Sequence, residues 1–187
     1  MKLTPLGIDG AWLGSSKVWR DERGYFREWF KVEEIAQATG MKFDVAQANL
    51  SVSKAGVVRG IHYSLSPKGQ GKLVTCVSGK IKDVIVDLRT NSPTFGNSVE
   101  CVLEGGSGDF LLIGPGLGHG FASLEDRTVV TYLLTSSYSP EEEFEINALD
   151  PDLAINWGIK QYEMNLSLRD SSAPKLSELI VLGYLPK

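Results

Sequence analysis

The chain contains two histidines and two cysteines in 187 residues, and each scarcity removes a class of chemistry. Cys76 in "KLVTCVSG" and Cys101 in "SVECVLEGG" stand far apart with no C-x-x-C spacing. Two buried reduced thiols are therefore expected, not a thiolate metal centre or a dithiol redox pair. Positive charge is also in short supply. With 19 Lys and Arg against 23 Asp and Glu the net charge is −4, which leaves no general basic surface for a nucleic acid backbone, so any anionic ligand must be held by a local cluster. No window approaches the ~20 apolar residues of a membrane span, and the N-terminal "MKLTPLGIDGAWLGSS" lacks the continuous apolar stretch of a secretory leader. A cytoplasmic protein without membrane or nucleic acid partners is expected. Repeats, low-complexity tracts and long Pro/Ser linkers are missing as well, and the length suits one domain over residues 1–187 with a sizeable core.

What is present is a succession of short strand-like runs. From residue 43 to 135 the chain reads "FDVAQANLSVS", "GVVRGIHYSL", "GKLVTCVSG", "KIKDVIVDLR", "NSVECVLEGG", "GDFLLIG" and "TVVTYLLTSSY". Strands this closely spaced, closed by Gly, Pro and Asn, predict a sandwich or barrel and not a βαβ sheet. Two helices are expected at the margins. "VEEIAQATG" ends on Gly40, and "APKLSELIVLG" places Leu176, Leu179 and Ile180 on one face before Gly183, both packing against the sheet. The fold class is mainly β, best fitted by a cupin-type jelly roll (double-stranded β-helix) enclosing a pocket, with short peripheral helices.

Alternation along "VAQANLSVS" puts Gln47, Asn49 and Ser51 on one face and Ala46, Ala48, Leu50 and Val52 on the other. Periodicity alone favours solvent for the polar stripe, and a pocket lining is the alternative. The same ambiguity attaches to His62 in "VVRGIHYS", which reads as a hydrogen-bonded core histidine, a metal ligand or a base. Metal-binding cupins usually combine several His with a carboxylate. This chain has no H-x-H pair, and a metal-free site is preferred.

Without a metal, a barrel can still remove a proton α to a ketone if a base, an acid and a cation converge. Histidine, with an unperturbed pKa of ~6.5, suits the base. Lys72 is placed to stabilise an enolate oxygen, and Tyr132 to return the proton from the opposite side. Each residue has a plain structural reading too. His119 in "GPGLGHGF" reads as a turn residue, Tyr132 as an ordinary strand aromatic. Arg59 would point away from His62 in a regular strand, unless Gly60 introduces a bulge.

Six stretches taken together resemble a known family. "DERGYFREWF" (21–30), "QANLSVSKAGVVRGIHYS" (47–64), "KLVTCVSGKIKDVIVDLRTNSPTFG" (72–96), "GPGLGHGF" (114–121), "YSPEEEFEINALDPDLAINW" (138–157) and "SLRDSSAP" (167–174) are similar, in order, to the dTDP-4-dehydrorhamnose 3,5-epimerase family. Co-linear motifs over most of the chain are far more specific than any lone short motif.

The resemblance implies a homodimeric jelly roll that acts without a cofactor or metal on a dTDP-4-keto-6-deoxyhexose. It implies His62 as proton acceptor, Tyr132 as proton donor and Asp170 as the partner of the base. The implied binding positions are Arg23, Glu28, Gln47, Asn49, Arg59, Lys72, His119 and Glu143, with backbone contacts at Ala48. Tyr138 is the implied stacking partner of the thymine, and Arg169 stands where the family commonly has lysine, adding a planar fork suited to diphosphate. Phe26, with the rest of "DERGYFRE", is expected to reach across the dimer to the nucleotide.

The chain departs from the family at Ser64, which follows "HY" where glutamine is frequent, in the "SLSPKGQG" loop, and at Gly114, where proline is usual. No acid, base or oxyanion residue is lost. The first two departures lean the expectation toward a single-centre enzyme, specifically at C5, although both C3 and C5 are α to the C4 ketone. The rival readings are a nucleotide-sugar ketoisomerase of the same fold and a non-catalytic sugar-binding cupin.

Overall fold

The computed structural model describes residues 1–67 and 69–187; Lys68, in the "SLSPKGQG" loop, lies outside the described residues. The chain opens with β1 (Lys2–Pro5), β2 (Ala11–Ser15), β3 (Val18–Asp21), β4 (Gly24–Arg27) and helix α1 (Val32–Thr39). Next come β5 (Gln47–Ser53), β6 (Val58–Ser64), β7 (Lys72–Ser78), β8 (Lys80–Asp87) and β9 (Ser98–Glu104). The strands end with β10 (Asp109–Ile113), β11 (Leu117–Ser123), β12 (Thr128–Leu134) and β13 (Glu143–Glu145). Two short helices follow, α2 (Leu168–Ser171) and α3 (Leu176–Leu182).

The strands form a six-stranded sheet in the order β1-β2-β10-β7-β12-β5 and a five-stranded sheet in the order β13-β6-β11-β8-β9, with β3 and β4 as a separate hairpin. From β5 onward the chain repeatedly crosses from one sheet to the other, the connectivity of a cupin-type jelly roll. Each of the seven sequence-predicted runs contains a strand. The turn reading of "GPGLGHGF" is corrected: β11 runs through it, fully buried, paired with β6 on one side and β8 on the other.

The core has three layers. Between the sheets, Val74, Leu111 and Val130 of the six-stranded sheet meet Ile81, Ile85 and Phe121 of the other. On the far side of the five-stranded sheet, Ile61, Val84 and Val86 pack against Trp157, Leu176 and Leu179 of the C-terminal segment. On the far side of the six-stranded sheet, Leu73, Phe110 and Leu133 cover Ile35 of α1 and Phe43. Helices α1 and α3 end on a left-handed glycine, Gly40 and Gly183, the C-terminal geometry that favours glycine. The predicted buried face of α3 needs one correction: Leu176 and Leu179 are buried, but Ile180 is 49% exposed. Asp150 explains the placement of α3, since its carboxylate accepts the Leu176 amide at 2.6 Å and satisfies an otherwise orphaned N-terminal donor. Cys76 is buried and Cys101 only half-buried, and both are free thiols.

Candidate active site

A cavity of about 210 Å³ opens between the two sheets. The five-stranded sheet contributes His62 from β6, His119 from β11 and Glu143 from β13; the six-stranded sheet contributes Lys72 from β7, Tyr132 from β12, and Gln47 and Asn49 from β5. Arg59, Tyr138 and Arg169 also line it. Among the described residues no group of three His, Cys, Asp or Glu side chains is gathered closely enough to ligate a metal.

Arg59 and His62 share this cavity because β6 is bulged between them. Phe121 pairs with Arg59 and His119 with His62, so two residues of β6 oppose the single Gly120. Gly60 sits in the bulge at φ +108, and a Cβ there would lie 2.6 Å from the Gly120 Cα. Only glycine on both strands allows that approach. The bulge foreseen at Gly60 thus removes the objection that Arg59 and His62 point to opposite sides.

The polar stripe of β5 faces the cavity, contrary to what periodicity alone favours. Gln47, Asn49 and Ser51 line it, while Leu50 and Val52 on the opposite face are 66% and 57% exposed. Alternation reports that two faces differ, not which one meets water, and here the interior compartment is the polar one. The stripe is ordered by its own bonds: Gln47 donates to the Asn49 Oδ1 at 2.9 Å, and its Oε1 accepts the Tyr138 amide at 2.8 Å.

Each histidine leans on an aspartate. His62 Nε2 lies 2.6 Å from the Asp170 Oδ1, behind the cavity wall. Asp170 is delivered by α2, whose N-cap Ser167 accepts the Asp170 amide at 3.0 Å and donates its own hydroxyl to Oδ2 at 2.7 Å. Burial pushes this carboxyl up, but bonds from His62, Ser167 and the Gly60 amide outweigh it and hold it below the usual carboxylate range. An ionised Asp170 holds the imidazole in a fixed orientation. His119 Nε2 lies 2.9 Å from the Oδ2 of Asp83 on β8, a carboxylate with no exposed surface.

Lys72 is buried, and its ammonium donates to the His62 carbonyl at 3.1 Å. Burial brings its pKa down to about 8, against the pull of Glu143 and Asp83. At the mouth, Arg169 donates to the Glu145 carboxylate at 2.5 Å and to the Glu143 carbonyl at 3.3 Å. The Glu145 bond, with the nearby Tyr138, raises its affinity for its proton.

Three sequence-predicted residues lie apart from the cavity. Arg23 is paired with Asp21, Glu28 with Lys31, and Phe26 is 66% exposed beside Trp19 on the β3–β4 hairpin. Conversely, the sequence reading did not single out Asp83, Gln70 or Glu145. A carboxylate on the inward face of a strand, between Ile81 and Ile85, was the available signal for Asp83. The Ser64 departure sits beside this machinery: Ser64 is buried and pairs with Glu143 across β6 and β13. Glu143 accepts instead from the Gln70 side chain at 2.8 Å, which also donates to Ser136 at 3.1 Å.

A histidine and a tyrosine facing one cavity from opposite sheets of a cupin-type jelly roll, with a buried lysine lining the same cavity, form a site that can serve proton transfer. A family model described as dTDP-4-dehydrorhamnose 3,5-epimerase matches residues 5–178, and the chain belongs to that family. It is 44% identical to a dTDP-4-dehydrorhamnose 3-epimerase of Streptomyces niveus, over 100% of this chain and 89% of the relative. It is 40% identical to a dTDP-4-dehydrorhamnose 3,5-epimerase of Mycobacterium tuberculosis, over 100% and 93%. Among solved structures, ChmJ, a 3′-monoepimerase from Streptomyces bikiniensis in complex with dTDP-quinovose, superposes with a TM-score of 0.93 at 43% identity, covering 98% of this chain and 92% of that one.

Proposed function

We propose that the protein inverts C3 of a dTDP-4-keto-6-deoxyhexose, as a cytoplasmic enzyme acting through one jelly-roll unit over residues 1–187. The observation that carries this reading is the placement of His62 and Tyr132 on opposite sheets facing one cavity. His62 removes the proton from the carbon next to the C4 ketone, and the C–H electron pair moves into the enolate, whose oxygen is held by Lys72 and His119. Tyr132 then protonates the other face of that carbon. The proton lost and the proton gained differ, so the inverted centre carries a solvent-derived hydrogen. Arg59 and Arg169 take the diphosphate, and Tyr138 stacks on the base.

The relatives named above act at C3, alone or together with C5, so the preference for C5 drawn from Ser64 and the "SLSPKGQG" loop has no counterpart among them. Incubation with dTDP-4-keto-6-deoxyglucose in D₂O, read by NMR, tests the proposal: deuterium at C3 is expected. Label at C5 alone would overturn the choice of carbon, and no label at either position would end the enzymatic reading.

The active form is a homodimer. Leu50 and Val52 of β5, with Trp19, Tyr25 and Phe26 of the hairpin, leave apolar side chains exposed, which supports a covered face. In this reading Arg23, Phe26 and Glu28 serve the nucleotide site of the second copy. Sedimentation is expected to give a dimer, and Leu50→Lys a monomer with weakened dTDP binding.

A further inference from the structure

Asp83 stands behind the cavity without lining it. Its neighbours on the same face of β8, Ile81 and Ile85, belong to the apolar layer between the sheets. One carboxylate oxygen meets His119, and the other, Oδ1, is buried with no hydrogen-bond partner among the described residues. A half-satisfied carboxylate deep in an apolar layer is costly and stays only where something balances its charge. The two groups that act on it are both cavity residues. Burial raises the proton affinity of Asp83 overall, His119 and Lys72 each pull against that rise, and Asp83 in turn supports the charge on Lys72.

The bond to Asp83 also dictates what His119 can offer a substrate. An ionised Asp83 accepts from Nε2–H, so a neutral His119 presents only a lone pair at Nδ1. Donation from Nδ1 to an oxyanion then requires the imidazolium. We propose that Asp83 is a positioning residue for the epimerisation: it fixes the His119 ring and supplies the negative charge that lets His119 and Lys72 both act as donors to the enolate oxygen. This rests on the reading that those two groups face that oxygen.

The groups that bear on Lys72 come from several elements: Glu143 from β13, Asp83 from β8, His119 from β11 and the His62 carbonyl from β6, while β12 offers Tyr132 and β10 places the apolar Ile113 opposite it. Asp83 is faced by His119, Lys72 and, across β8 and β9, the Cys101 thiol. Removing the Asp83 charge leaves Glu143 as the only carboxylate among them to support the ammonium.

The test is Asp83→Asn, compared with wild type across pH. The expected result is a kcat lowered about 10- to 100-fold, a KM and dTDP affinity changed less than about threefold, and an alkaline limb of the kcat profile moved to lower pH. A purely structural role would not move that limb. Nitrogen-15 NMR of His119 in the unaltered enzyme gives a second reading that needs no variant, with the proton expected on Nε2 throughout the neutral range. An unprotonated Nε2 would overturn the proposal, as would an Asp83→Asn enzyme with wild-type kcat and an unmoved limb. Failure of the wild type to exchange solvent deuterium would instead defeat the reading of the whole site.

Discussion

The two histidines of the chain each rest on an aspartate at hydrogen-bond distance, yet the two carboxylates live in opposite surroundings. Asp170 has both oxygens occupied, by His62 and Ser167, and is held below the usual carboxylate range. Asp83 has one oxygen occupied and is pushed up by burial. Proximity of a His and an Asp therefore does not define what the pair does. The number of other donors reaching the carboxylate decides whether it is a firm anion or one whose charge depends on its neighbours. In this site the firm anion backs the proposed base, and the dependent one backs the proposed enolate donor.

That comparison can be broken experimentally, and the largest effect is expected at the base itself. His62→Asn is predicted to lower kcat by about 10⁴-fold while leaving dTDP binding intact by calorimetry; a variant that keeps its activity would remove His62 from the mechanism. Asp170→Asn comes next, with a loss of about 10³-fold, larger than the loss from Asp83→Asn. Steady-state kinetics showing the reverse order would invert the ranking of the two pairs. Third, Lys72 carries its charge below pH about 8 and is neutral above it, so kcat is expected to fall as pH rises through that value. Lys72→Arg, whose charge persists, is expected to lose that alkaline limb while keeping a reduced rate. The smallest effect belongs to Ser167→Ala, which deletes the N-cap and the second donor to Asp170. Thermal unfolding should show a loss of about 1 kcal/mol, with kcat falling by less than about tenfold.

Much of this site is legible in the sequence because its residues, Tyr132 excepted, fall within motifs that run co-linearly along the chain. The resemblance implies His62, Lys72, Tyr132, His119 and Asp170, and the structure gathers four of them at one cavity with the fifth bonded behind. Periodicity misled where a strand separates two environments that are both unusual: β5 turns its polar side inward and its apolar side out. Glycines misled at His119, where they serve close strand contact and not a turn. Asp83 was overlooked because a lone charge in an apolar strand has no local partner; its partner arrives from β11, distant in sequence but adjacent in the sheet. Ile180 shows the limit of helical spacing, which marks a face without saying how much of it the sheet covers.

The Gly60 bulge can be viewed as a change of phase in a two-step code. Before it, odd positions of β6 reach the cavity, with Arg59 inward and Val58 in the outer layer; after it, even positions do, with His62 inward and Ile61 and Tyr63 outward. One inserted residue thus lets an anion-binding side chain and a proton-transferring one be read out on the same surface from a single strand. Loss of one residue at the bulge would restore unbroken alternation and turn the imidazole away from the cavity, a failure invisible to any measure of composition or hydrophobicity.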